Sequence, residues 1–249
     1  MAASKTWQTA GSFALLFIAY QLPEAVGQRM FGSFRIQSLL FVVFFTVACT
    51  VGGRLAGNPF RAYALDGPWS VWRVTLAAFA LAIACKLLTV AIGVSAGVFH
   101  PARKLSAPAA DALLLGLLMT FIPSIAEDIV TRGFWFTRYG RGWSTAAFVA
   151  FSSVVYVLNH VFRLAAGLGE WLMLLSFGVA YGLAVARTKS LWPAVGLHWG
   201  WNFGNAIVAA AWPYAVLSQQ GGRSLAIAAH LVMAAAAWRF PGSGQRRRA

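Results

Sequence analysis

The chain has 249 residues, 59% of them hydrophobic, with a mean hydropathy of +0.68 and only 10% charged. A soluble domain of this length needs a wetted, charged surface, so these values argue against that class and for a polytopic membrane protein. The net charge of +14 falls mainly in short segments between apolar runs, with no basic groove or base-stacking motif. It therefore serves topology and anionic headgroups rather than nucleic acid.

A spanning helix needs about 20 mostly apolar residues. The apolar runs predict an all-α transmembrane bundle of about eight spans, over 11–26, 36–53, 72–94, 109–136, 145–162, 171–186, 191–211 and 225–240. Brief connectors rich in turn formers separate them, among them Asn58-Pro59, Gly67-Pro68 and His100-Pro101. One integral membrane domain over 1–241 follows, with a basic tail at 242–249 that is expected to be disordered. Cys49 and Cys85 both lie in apolar runs and have no metal-type spacing, so no disulfide framework is expected.

Lysine and arginine placement sets orientation. In an eight-span arrangement twelve bases lie on the side of Lys5, Arg138 and Arg239, and six on the side of Arg29, Arg103 and Arg163. The richer side is expected to be cytoplasmic, with both termini inside a bacterial inner (cell) membrane.

Within this apolar chain, the fourth run carries Glu127-Asp128-Ile129-Val130-Thr131-Arg132-Gly133, two of only six acidic residues. Carboxylates are costly at membrane depth, so the pair marks a functional site by default. Asp128 and Arg132 are four apart and share a helix face, which suits an ion pair. Glu127 points about 100° away, free for other work. A purely structural ion-pair cluster is the alternative. Pro123 stands one turn earlier and can open space there.

Two later runs supply partners. Tyr156 precedes His160 by one turn, and His198 precedes Asn202 by one turn, so each pair shares a face. A carboxylate able to take a proton, two imidazoles and an amide make up a hydrolytic kit. Each pair alone reads equally well as interhelical glue.

The ordered triplet Glu-Asp-x-x-x-Arg, Tyr-x-x-x-His and His-x-x-x-Asn resembles the three motifs of the CAAX-protease and bacteriocin-processing (CPBP, or Abi) family of intramembrane glutamate-type endopeptidases. The resemblance covers residues 109–211; the first four spans agree only in general character. It implies that Glu127 is the catalytic glutamate and that His160 helps it hold the attacking water. It also implies that His198 and Asn202 stabilise the oxyanion, with Asp128, Arg132 and Tyr156 in support. The family was first described as metalloproteases and later as glutamate-type, so a divalent metal is not implied and no cofactor is expected. Asp128 stands where the family usually has Glu, and Tyr156 where it usually has Phe. Neither departure removes a residue assigned to chemistry.

The expected partners are the lipid bilayer and a membrane-anchored or lipid-modified peptide or protein substrate. The alternative is a non-proteolytic transport, immunity or scaffold role on the same fold. Other membrane proteases fit less well: no His-Glu-x-x-His is present, and Ser152-Ser153 lacks a Gly-x-Ser-x-Gly frame. Lys86, inside the third run, is expected to snorkel or pair within the bundle. His100 and His230 are given no role. One tension stands: these span boundaries put Glu127 and His160 near opposite membrane faces, whereas the chemistry needs them together.

Overall fold

The computed structural model describes residues 2–241, with side chains from residue 6 onward; the expected basic tail lies outside the described residues. The chain is an all-α bundle. Helix α1 (Ala2–Leu22) runs into a π-helical segment, Pro23–Met30. Then follow α2 (Phe34–Ala56), the single turn α3 (Pro59–Ala62) and α4 (Ser70–Ser95). Helix α5 (Ala110–Asp128) passes through a π turn, Ile129–Gly133, into α6 (Phe134–Arg138). The last four helices are α7 (Thr145–Asn159), α8 (Leu168–Thr188), α9 (Trp192–Ala211) and α10 (Gln219–Trp238).

Each expected span overlaps helical structure, the fourth covering α5, the π turn and part of α6. Among the described residues, four helical stretches are long and apolar enough to cross a membrane: Phe34–Ala56, Ser70–Ser95, Ala110–Arg138 and Leu168–Thr188. Starts are set by local chemistry. Ser33 accepts from Ile36 N at 3.4 Å, and Ser144 from Ala147 N at 3.2 Å, each satisfying an orphan amide of the first turn. At the other end, Gly57 closes α2 with φ 68°, a left-handed conformation that favours glycine.

The most extensive helix pair is α4 with α9. Gly196, Gly200 and Gly204 recur every fourth residue and form the α9 face of that contact. A Cβ at Gly200 would overlap the Phe79 carbonyl, and one at Gly204 would lie 2.8 Å from the Lys86 Cβ. Such small-residue stripes let backbones approach where no hydrophobic effect drives association. Two three-residue strands, β1 (Phe99–Pro101) and β2 (Tyr214–Val216), pair antiparallel with His100 opposite Ala215. They tie the α4–α5 connector to the α9–α10 connector.

The depth tension resolves once position is counted from the connector that α6 and α7 share. Glu127 lies about three turns before the end at Arg138, and His160 about four turns after Thr145. Those depths are alike. Counting each residue from the start of its own span ignored that α5 and its continuation run well past Glu127.

Candidate active site

Three helices converge on one buried point. Glu127 and Asp128 end α5 just before the π turn, a wider helical geometry often found at functional sites. Asn159 ends α7, and His160 follows with φ −85° and ψ 53°, its backbone already out of the helix. His198 and Asn202 lie one turn apart on α9. Glu127, Asp128, Asn159 and His198 are all buried.

Glu127 is the centre of this group. Its Oε1 lies 3.5 Å from His160 Nε2, and its Oε2 lies 3.7 Å from His198 Nε2. Asn159 Nδ2 donates to Oε1 at 3.5 Å. His160 Nδ1 donates to the Tyr156 carbonyl at 2.8 Å, because a carbonyl can only accept. In the neutral ring that bond fixes the tautomer and leaves Nε2 with its lone pair facing Glu127. Both groups line the cavity, where a water lying to the side of the pair can donate one proton to each.

Asp128 and Arg132 form the expected i,i+4 ion pair, both side chains fully buried. Arg132 Nη1 also donates to Thr131 Oγ1 at 3.0 Å. Its guanidinium lies between two rings, with Tyr156 at 4.5 Å and Tyr181 at 5.0 Å from the ring centroids. Those faces take up the cation where Nε and Nη2 have no hydrogen-bond partner. Tyr181 also stacks on His198, centroids 5.0 Å apart.

Asn202 Nδ2 donates to Ser124 Oγ at 3.0 Å, and the Ser124 hydroxyl donates to the Thr120 carbonyl at 2.6 Å. The amide keeps a second N–H for another acceptor. Tyr156 packs edge-on against His160 with centroids 4.7 Å apart, as its spacing suggested.

A cavity of about 440 Å³ joins these groups; Glu127, His160, His198 and Asn202 all line it. Three residues that sequence reasoning did not assign also line it: Tyr20 and Gln21 from α1, and Asn159. Gln21 holds Asn159 in place, donating to its carbonyl at 2.9 Å and to its Oδ1 at 3.2 Å. Asn159 had a legible signal, a lone amide in an apolar run beside a motif histidine; Tyr20 and Gln21 had none. His230 is fully buried, its Nε2 3.0 Å from the Tyr181 hydroxyl and its ring stacked on Phe177. Among the described residues, no group of three His, Cys, Asp or Glu is placed to hold a metal ion.

Residues 109–204 match the family model described as Type II CAAX prenyl endopeptidase Rce1-like. Over those residues the chain is similar to that family, in keeping with the resemblance carried by the three motifs. The match runs from the start of α5 into α9 and contains every residue of the three motifs. Helices α1 to α4 lie outside it, although α1 and α4 both contribute to the cavity. No curated protein matches the chain. With apolar helices long enough to cross a bilayer and a membrane-protease family match, the chain is an integral membrane protein.

Proposed function

We propose that the protein is an intramembrane endopeptidase that cleaves a peptide bond in a membrane-anchored or lipid-modified substrate. One observation carries this reading: a buried carboxylate with an imidazole on each of its oxygens, opening into a cavity large enough for an extended peptide segment.

In this reading a water donates one hydrogen bond to Glu127 Oε1 and one to His160 Nε2. Glu127 removes the first proton as the water oxygen bonds to the scissile carbonyl carbon. The carbonyl oxygen becomes an oxyanion held by His198 Nε2–H and the free N–H of Asn202. When the intermediate collapses, the C–N bond breaks and the leaving nitrogen takes the proton from Glu127. His198 turns Nδ1 toward Asp128 Oδ2 and presents its Nε2–H to the oxyanion.

Transport through the same fold would need a polar path of its own. Lys86 lines the cavity that holds Glu127, which supports hydrolysis with a cationic wall. We further propose the bacterial inner membrane as the location, both termini cytoplasmic, on the uneven placement of bases. A reporter fused after Phe240 that is active only outside the cytoplasm overturns that orientation.

The activity test uses the purified full chain in lipid nanodiscs with internally quenched peptides carrying an N-terminal acyl anchor. Wild-type cleavage with complete loss in Glu127→Gln and His198→Ala, both still inserted, supports the reading. Wild-type turnover by either variant sinks it.

A further inference from the structure

Resting on the proteolytic reading, we propose that Lys86 is a specificity-determining residue that receives a carboxylate of the substrate peptide. Its side chain is more than nine-tenths buried, yet it lines the same cavity as Glu127. No carboxylate of the described residues pairs with it. Its hydrogen bond goes to the Tyr214 hydroxyl at 3.3 Å, and its Nζ lies 5.1 Å from the Trp201 ring centroid and 5.8 Å from that of Tyr214.

A buried ammonium with only a phenol and ring faces for company retains unused donors. Two buried acids here have cationic partners: Asp128 has Arg132, and Glu170 has Arg163 and Arg223. A cation left unpaired at this depth is costly, and an anion arriving with the substrate offsets that cost.

The position fits a peptide already engaged at the catalytic group. Trp201, over which the ammonium lies, is about one turn along α9 from His198, a rise of about 5 Å. An extended peptide advances about 3.3 Å per residue. The carboxylate would therefore sit within about two to three residues of the scissile carbonyl. Gly204, with no side chain, lets the Lys86 stem lie directly on α9, and the β1–β2 pair brings Tyr214 to the ammonium. The pairing is one of charge and hydrogen bonding, with no covalent step.

Two sources could supply this carboxylate, the free C-terminus of the substrate or an Asp or Glu side chain near the cleaved bond. The test uses three acyl-anchored quenched peptides: one with a free acid terminus and an aspartate, one amidated at the terminus, and one with asparagine for the aspartate. Wild-type and Lys86→Met protein in nanodiscs are compared on all three. The expected result is a kcat/KM for the wild type at least roughly 10-fold lower on one of the two neutralised peptides, the size of a charge-assisted hydrogen bond. Which peptide loses names the source, and Lys86→Met removes the difference. Equal preference in wild type and Lys86→Met overturns the assignment.

A binding arm separates this idea from the catalytic one. In Glu127→Gln, the acylated tripeptide acid is expected to raise the unfolding temperature more than its amide, and Lys86→Met added to that background abolishes the difference. If no peptide is cleaved by wild type while the acid still binds through Lys86, the subsite stands and the proteolytic reading falls. If acid and amide stabilise alike, the subsite falls whatever the cleavage result.

Discussion

His198 turns its Nδ1 toward Asp128 Oδ2 at 3.5 Å, within ion-pair range and short of a hydrogen bond. Asp128 thus serves two partners, Arg132 through Oδ1 and His198 through Oδ2. The imidazole is held from behind by a carboxylate that is itself anchored, and Nε2 is aimed at Glu127 and the cavity. Adjacent acids divide the work: the first faces the cavity, the second sets the angle of a ring.

Breaking this anchor from one side is expected to be costly. Arg132→Met leaves Asp128 buried without its cation and should destabilise the protein by about 3–5 kcal/mol. Adding Asp128→Asn removes the orphaned charge and should restore much of that stability while cleavage stays low. Thermal unfolding in detergent paired with a cleavage assay separates the two effects. Equal stability of the single and double variants would refute the coupling.

Asn202 and Ser124 form a graded pair. Asn202→Ala deletes a donor assigned to the oxyanion and should lower kcat by about 10²–10³ with KM little changed. Ser124→Ala removes only the group that aims Asn202, so kcat should drop by about tenfold or less, near the worth of one hydrogen bond. A larger effect from Ser124 than from Asn202 would contradict these roles.

Asn159 is a positioning residue for Glu127. Asn159→Ala should reduce kcat about tenfold, the loss of one charge-assisted bond, and leave KM within about twofold. The bond orients the base rather than holding substrate, so Gln21→Ala should show the same kcat-against-KM split in weaker form. A rise in KM without loss of kcat would point to substrate contact instead.

The α4–α9 seam predicts a packing failure. Gly200→Leu forces a side chain into the Phe79 carbonyl and the Ala82 methyl. It should separate the two helices and lower the unfolding temperature by more than Gly53→Leu, whose added atoms meet open space. Comparable melting of both variants would count against close packing there.

Tyr63, in the connector after α3, donates its hydroxyl to the Ala48 carbonyl at 2.7 Å, and burial pushes its phenol well above the ordinary range. The folded state favours the protonated form, so this contribution is whole below the ordinary phenol value of about 10 and is lost as pH rises through it. Tyr63→Phe should cost about 1 kcal/mol at neutral pH, and its stability should fall less steeply than that of the wild type above about pH 10. Parallel alkaline slopes for the two proteins would remove Tyr63 from that account.

Helix placement was legible because apolar run length is a direct consequence of bilayer thickness. The motif residues Glu127, His160, His198 and Asn202 were legible as polar groups at helical spacing where polarity is costly, and they line one cavity. Less could be read of what surrounds them. Tyr20 and Gln21 reach the cavity from a helix more than a hundred residues away in sequence, and no spacing rule links them to Asn159. The Tyr181 ring on His198 looks in sequence like any bundle aromatic. The relative depth of Glu127 and His160 was misjudged because an antiparallel pair shares its reference point at the connector, not at the helix starts.

The π turn at Ile129–Gly133 carries a last consequence. One extra residue within a helix shifts the phase of everything after it by about 100° relative to everything before. Upstream lie Glu127 and Asp128; downstream lie Phe134 and Phe136, both buried in the core. Deleting a single residue from this turn would leave the same side chains on a regular helix, yet the acids and the phenylalanines could no longer face their partners together. The turn acts as a clocking joint: it lets one continuous helix aim its first half at the cavity and its second half at the protein's interior.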